Sequence, residues 1–123
     1  MRRDGSIEWA CLLRFDSGGV FCRLLDADRG GTFALCPTDP FEAQRRYLPD
    51  TNVLETTFTT ATGSARLLDC FVMRRGGSAR PLRQLLRRVE GISGQVPFTA
   101  FVEPRFDYGS LHPWLRFHPD CRL

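Results

Sequence analysis

Short runs of alternating apolar and polar residues, separated by turn residues, follow one another along this 123-residue chain. From Ile7 to Leu13 the alternation predicts a half-buried strand, which the polar segment 16–19 ends. Ser17 is placed to cap a short helical turn over 20–25. The apolar run 32–36 predicts another strand, because prolines follow it closely and stop it.

The clearest strand pattern lies in the middle of the chain. Residues 53–60 are rich in β-branched side chains, and the turn sequence 61–64 joins them to a second run over 65–73, which predicts a hairpin. Segment 82–89 is ambiguous, since its leucine and valine spacing fits a helix and periodicity alone favours one. Hairpins joined by short loops, without alternating strands and helices, predict an all-β fold, an antiparallel β-sandwich.

Composition places the chain among single globular domains. Its length fits one domain, and 42% hydrophobic with 25% charged residues are ordinary values for a folded protein. No apolar run approaches the roughly 20 residues that cross a bilayer, so no membrane contact is expected. The segment before Trp9 is too short and polar for a signal peptide, which makes a cytoplasmic location the expectation.

The cysteines and histidines predict no metal site. The five cysteines have no CxxC spacing and no paired histidine, whereas zinc sites need clustered thiolates or imidazoles. We expect most of these cysteines to be small, reduced core residues, and we expect no metal and no cofactor.

Arginine supplies all 17 cations of the chain, and the net charge is +3. Its densest cluster lies between residues 74 and 88 and raises nucleic-acid binding as a rival function. No aromatic side chain that could stack on a base interrupts segment 74–89. We therefore predict a loop over 74–80 followed by a solvated strand face, and no nucleic-acid partner.

Four sequence blocks carry a family resemblance, and they occur in order over most of the chain. They are RDGSIEWACLLRFDSGGVFCRLL (3–25), RRYLPDTNVLETTF (45–58), VEGISGQVPF (89–98) and PRFDY (104–108). Together they resemble the N-terminal domain of bacterial glucoamylase- and trehalase-type glycosidases, glycoside hydrolase family 15. The resemblance implies a supersandwich-like β-sandwich, a strand over 82–89, a turn at Gly91–Gly94 and an antiparallel partner strand over 96–103.

In that family the catalytic glutamates lie far downstream, in an (α/α) barrel that this chain lacks. The resemblance implies a parent enzyme that hydrolyses α-glucosidic bonds in starch-like oligosaccharides or trehalose with inversion. Inversion requires two carboxyl groups about 6.5–9.5 Å apart, but the acids here lie in turns or on strands. We therefore assign no catalytic residue and expect 1–123 to be a single N-terminal domain fragment, truncated and inactive alone, whose partner is the barrel.

Trp9, Arg14, Phe15 and Asp16 form the main candidate site. An aromatic ring can stack on a sugar while a carboxylate binds its hydroxyl groups, so the cluster fits substrate binding; it also fits a loop that faces the barrel. The plainer alternative places Trp9 in the core and pairs Arg14 with Asp16 on the surface. Where family members often show proline before Arg-Phe-Asp and Ser-Pro-Ser after it, this chain has Leu13 and Ser-Gly-Gly, which loosen the loop.

The block 45–52 that contains Tyr47 has a structural role as its plainer interpretation. Tyr47 is the second candidate, as a contact to a neighbouring domain, because aromatic residues with polar tips are common at interfaces. It precedes segment 49–52, which is predicted to turn into the strand over 53–60. An alternative function is an autonomous carbohydrate-binding module that uses Trp9, Phe15 and Trp114.

Overall fold

The computed structural model describes residues 1–73 and 82–114. Its regular elements comprise seven β-strands and one 3₁₀ turn: β1 Ser6–Ile7, β2 Thr32–Pro37, β3 Phe41–Tyr47, β4 Leu54–Thr60, β5 Gly63–Phe71, β6 Leu85–Gly94, β7 Phe98–Glu103 and the 3₁₀ turn Asp107–Gly109. The strands form two antiparallel sheets, one ordered β1-β2-β7 and the other β3-β4-β5-β6. The predicted all-β, antiparallel sandwich is therefore confirmed.

Aromatic packing joins the two sheets. Phe58, on the inner face of β4, is fully buried, as is Leu67 beside it on β5. The Phe58 ring meets Phe41 of its own sheet at 5.1 Å and Phe98 of the other sheet at 5.8 Å, both edge to face. Edge-to-face pairs add about 0.5–1.5 kcal/mol to the free energy of burying the rings. This cluster is the centre of the core.

A buried ion pair lies at a second contact between the sheets. The guanidinium of Arg87 on β6 donates from Nε to Oδ1 of Asp69 at 2.7 Å, and both side chains are only 2% exposed. The terminal nitrogens of Arg87 donate to the backbone oxygens of Phe33 and Gly5. The guanidinium carbon of Arg87 lies 4.7 Å from the centroid of the Phe33 ring. One side chain thus links β5, β6, β2 and the turn before β1.

The strand predicted from Ile7 to Leu13 is wrong beyond Ile7. β1 pairs with β2 only at Ser6 and Ile7. β2 begins at Thr32, just after Gly31, whose φ of +66° turns the backbone away. The residues after Ile7 therefore do not continue β1 alongside β2. Ala10 instead makes an isolated antiparallel bridge to Phe21.

The helical turn predicted over 20–25 is a single shorter turn. The N–H groups of Leu25 and Asp26 both donate to the Cys22 carbonyl. Ser17 does not cap it, because its hydroxyl donates to the carbonyl of Arg14 and accepts from the N–H of the same residue.

The predicted central hairpin is confirmed as β4 and β5, joined at residues 61 and 62. The predicted turn over 49–52 also forms, with the Leu48 N–H donating to the Val53 carbonyl across its base. The sequence pattern did not reveal β3, which is a mostly exposed edge strand with polar residues on both faces.

Segment 82–89 contributes to strand β6, as the resemblance implied, so the helix that its periodicity favours is wrong. The turn predicted at Gly91–Gly94 is also wrong, since β6 continues to Gly94. β7 is a strand within the predicted range 96–103, but it pairs with β2 in the other sheet rather than with β6. Residues 95–97 carry the chain between the sheets. The predicted loop over 74–80 lies outside the described residues.

Candidate functional site

The Phe15 loop is the most exposed part of the predicted site. Arg14 and Asp16 flank Phe15 and form a two-pronged ion pair, with Nε to Oδ1 and Nη2 to Oδ2 both at 2.9 Å. The Ser17 hydroxyl donates to the Arg14 carbonyl at 2.8 Å and so closes the base of the loop. Phe15 is 92% exposed at the tip. Polar contacts therefore restrain the loop, and its tip carries an aromatic ring exposed to solvent.

An apolar groove of about 340 Å³ lies beside this loop. Trp9 is 40% exposed and lines the groove, so the part of the plainer alternative that places it in the core is wrong. The other part of that alternative, the surface pairing of Arg14 with Asp16, is present. Six of the side chains that form the walls are Met1, Trp9, Leu12, Phe15, Phe71 and Leu85. Phe71 ends β5 and Leu85 begins β6, and the two are directly paired across the sheet. The groove thus runs between the chain that follows β1 and the edge of the four-stranded sheet.

Tyr47 lies at the same end of the four-stranded sheet. It is paired with Leu54, and Leu54 is paired with Asp69, two residues before Phe71. Tyr47 is 65% exposed and lines a second open pocket of about 420 Å³. Met1 lines both pockets. The structure therefore brings all five predicted residues to one end of the sandwich, around two adjoining depressions.

Among the groove residues that the sequence did not single out, Phe71 and Leu85 form the wall that the four-stranded sheet contributes. In the sequence each is one apolar position at the end of an ordinary strand, and nothing local distinguishes it from a core residue. Phe71 is 60% exposed in the structure, because the sandwich ends before covering it. Their pairing across β5 and β6 makes them one wall of the groove.

A charged row crosses the outer face of the four-stranded sheet next to the second pocket. Arg46 Nε donates to Glu55 Oε1 at 2.6 Å, and Arg66 Nη1 reaches Glu55 Oε2 at 3.3 Å. The hydrogen bond from Arg46 lowers the pKa of the Glu55 carboxyl below 4.5 against the opposing effect of burial, and the charges of both arginines add to the lowering. Glu55 is thus a fixed anion held by two cations.

These contacts decide what the carboxylates can do. Both oxygens of Asp16 accept from Arg14, so the carboxylate meets a sugar hydroxyl only in competition with its own arginine. Among residues 1–73 and 82–114, no group of three His, Cys, Asp or Glu side chains is arranged to hold a metal ion. Within the same ranges, no helix is long and apolar enough to cross a bilayer.

Two arginines of the predicted nucleic-acid cluster are paired with carboxylates of their own sheet. Arg87 is buried in its ion pair, and Arg88 lies 2.8 Å from Glu90 on the surface of β6. Both are therefore neutralised by carboxylates of the same sheet. Residues 74–81 of the cluster lie outside the described part of the chain. The absence of a nucleic-acid partner stays a prediction.

Comparison with known proteins shows the relatives of this chain. Residues 1–120 match the family described as trehalase-like, N-terminal. The chain is 36% identical to trehalase 1 of Sulfolobus acidocaldarius over 95% of its own length and 19% of that protein. It is 38% identical to the trehalase of Mycobacterium tuberculosis, over 87% of this chain and 18% of that protein.

It is 40% identical to the trehalase of Mycolicibacterium smegmatis, over 85% of this chain and 18% of that protein. The chain therefore spans about a fifth of the length of these curated relatives. No solved structure matches it. The chain belongs to the family of trehalase-like N-terminal domains.

Proposed function

We propose that this chain is a non-catalytic domain that docks onto the catalytic domain of a trehalase-type glycosidase through the groove beside Phe15. The observation that carries the proposal is the exposure of apolar side chains at one end of the sandwich, with Phe15 at the tip of a loop that an ion pair restrains. Soluble domains rarely expose such patches without a partner. The relatives supply the partner, because most of their length follows the part that this chain matches.

The shape of the groove fits a domain better than a sugar. Its walls are largely apolar, and the Asp16 carboxylate on the neighbouring loop is engaged by Arg14. Buried centres of protein interfaces favour aromatic anchors, and a ring fixed in its bound orientation loses little entropy on docking. Phe15 is such an aromatic side chain, and the contacts among Arg14, Asp16 and Ser17 restrain the loop that carries it. Trp114 is 81% exposed and does not line the groove, so it is outside the docking surface.

The reaction of the parent protein follows from the family resemblance. We place it in glycoside hydrolase family 15, with inverting hydrolysis of α-glucosidic bonds in trehalose or starch-like oligosaccharides by glutamates of an (α/α) barrel. The Phe15 loop then lies against the mouth of the barrel pocket and shapes it. Tyr47 extends the contact along the same end of the sandwich.

A domain exchange tests this function. The segment of the Mycolicibacterium smegmatis trehalase that aligns with this chain is replaced by the chain, and trehalose hydrolysis is measured. We expect the chimera to be active. We expect the Phe15→Ser chimera to lose at least about tenfold in kcat/KM, because removing an aromatic hot-spot residue weakens an interface strongly. Phe101→Ser is the matched control, because Phe101 is 48% exposed on β7, away from the groove.

Equal activity of the Phe15→Ser and Phe101→Ser chimeras would contradict docking through this groove. A second measurement separates docking from sugar binding. Tryptophan fluorescence of the isolated chain, titrated with trehalose and with maltooligosaccharides, is expected to show no saturable change. A saturable change that Phe15→Ser abolishes would favour the carbohydrate-binding module instead.

A further inference from the structure

The pocket that Tyr47 lines contains a cation with no carboxylate partner in the described part of the chain. Met1, Arg45, Arg46, Tyr47 and Leu54 form this Tyr47 pocket, which has a volume of about 420 Å³. The guanidinium of Arg45 donates from Nη1 to the Met1 carbonyl at 3.2 Å. Among the described residues, no carboxylate oxygen lies within 4.0 Å of this guanidinium. Since a guanidinium has five N–H donors, Arg45 has donors left for an anion.

The neighbouring charged row does not neutralise Arg45. Along this row three arginines share two glutamates, in the pairs Arg46–Glu55, Arg66–Glu55, Arg66–Glu90 and Arg88–Glu90. Cations thus already exceed anions along the row, and Arg45 adds a further positive charge next to it. The surface around the Tyr47 pocket is therefore complementary to a negative charge.

Tyr47 supplies a second donor beside Arg45. The two residues are separated by one position on strand β3, so their side chains lie on the same face of the strand, about 7 Å apart at their Cα atoms. Tyr47 is 65% exposed, and its phenol hydroxyl can donate a hydrogen bond. A carboxylate has two oxygens, so it can accept from the guanidinium and from the phenol together.

Covering the groove beside Phe15 removes water from this pocket as well. Met1 lines both the groove and the Tyr47 pocket, so the two depressions share a wall. A domain that covers the groove therefore also shields Arg45 from solvent. A cation that loses its hydration without gaining an anion is strongly destabilising. The covering domain must then present a negative charge to Arg45.

We propose that Arg45 and Tyr47 bind the carboxylate of an Asp or Glu side chain of the catalytic domain. This inference rests on the proposed docking through the groove beside Phe15, and it adds the chemistry of the partner surface. The occupant belongs to that domain because the Tyr47 pocket adjoins the docking groove. It is a carboxylate because the charge of Arg45 is unbalanced on the described surface and the planar fork of arginine matches carboxylate geometry.

A zero-length cross-link tests the contact in the chimera with the Mycolicibacterium smegmatis trehalase. The chain contains no lysine, so Arg45→Lys gives the exchanged segment a single one. A carbodiimide joins a lysine amine to a carboxylate only when the two groups are in contact. We expect mass spectrometry to find position 45 of this variant joined to an Asp or Glu of the catalytic domain. Arg29→Lys is the matched control, because Arg29 is exposed and lines neither depression, and it is expected to give no cross-link to that domain.

Activity and stability give a second measurement. Arg45→Glu brings two negative charges together and is expected to lower kcat/KM of the chimera about tenfold. In the isolated chain the same substitution is expected to leave the urea midpoint unchanged, because Arg45 has only the Met1 carbonyl as a described partner. An equal loss of stability in the isolated chain would assign Arg45 a structural role and overturn the inference.

Three further results decide the matter. Cross-links from the Arg45→Lys variant that reach only carboxylates of the exchanged segment, or no cross-link at all, would overturn the carboxylate contact. Saturable binding of inorganic phosphate to the isolated chain, abolished by Arg45→Met, would also overturn it, since the pocket would then hold a free anion. If Phe15→Ser still lowers activity more than Phe101→Ser, the docking itself stands and only the Arg45 contact fails.

Discussion

The chain contains two arginine–aspartate ion pairs, one buried in the core and one exposed to solvent. In the core, Arg87 and Asp69 are each 2% exposed, and the guanidinium also binds two backbone oxygens. On the Phe15 loop, Arg14 and Asp16 meet with similar geometry but are 74% and 49% exposed. The charged groups are the same, so the difference in burial, together with the backbone contacts of Arg87, decides what each pair contributes.

Water accounts for the difference. An exposed pair exchanges hydration for a Coulomb attraction that solvent screens, and the net gain is about 0–1 kcal/mol. A buried pair has lost its hydration, so each partner depends on the other, and removing one leaves a charge with neither water nor counter-ion. The core pair therefore ties β5 to β6, and Arg87 extends the contact to Phe33 of the other sheet. The loop pair restrains the loop that carries Phe15.

The largest predicted effect is the loss of the core pair. Arg87→Met is expected to lower the free energy of unfolding by about 3–5 kcal/mol, because Asp69 stays buried and unpaired. Urea denaturation at neutral pH measures it. Adding Asp69→Leu removes the stranded charge and should recover part of the loss. A decrease below about 1 kcal/mol for Arg87→Met would contradict the comparison between the two pairs.

The strand arrangement shows how much of the fold can be predicted from the sequence. The β4–β5 hairpin is visible because β-branched residues and a turn are adjacent in the chain. The pairing of β7 with β2 is not, since residues 98–103 and 32–37 are far apart and the choice of sheet depends on packing across the core. The leucine spacing of β6 favours a helix locally, and its pairing with β5 overrides that preference.

Some residues of the candidate site could be predicted from the sequence and others could not. Trp9, Phe15 and Tyr47 could be chosen from sequence, because large aromatic residues next to charged ones are conspicuous. Phe71 and Leu85 could not, because only the end of the sandwich leaves them exposed. The Arg14–Asp16 contact was open to prediction from its spacing, whereas its consequence for Phe15 required the geometry of the loop.

Glu55 forms ion pairs that are intermediate in burial between the core pair and the loop pair. Its carboxylate is 5% exposed, but its partners Arg46 and Arg66 are 67% and 43% exposed. Because folding lowers the pKa of Glu55 below 4.5, its contribution to stability is present above the unfolded value. That contribution is lost as the pH falls through the folded value.

We therefore expect Glu55→Gln to be less stable than the wild type at pH 7, with the difference narrowing below about pH 4.5 as the wild-type carboxyl gains its proton. Urea midpoints at pH 7, 5, 4 and 3 measure it. Glu42→Gln, at an exposed position of β3, controls for the removal of a charge as such. A constant difference between wild type and Glu55→Gln across this pH range would show that the ion pairs do not stabilise the fold.

The smallest effect on stability is expected at the loop pair. Arg14→Met should change the free energy of unfolding of the isolated chain by no more than about 0.5 kcal/mol, because both partners regain water. The same substitution at Arg87 is the matched control, and urea denaturation of both variants makes the comparison direct. If Arg14→Met cost as much as Arg87→Met, burial would not be what separates the pairs. The expected consequence of Arg14→Met is instead greater mobility of Phe15, measured as faster side-chain relaxation of its ring by NMR. The two side-chain hydrogen bonds across the loop are gone, while those of Ser17 to the Arg14 backbone remain.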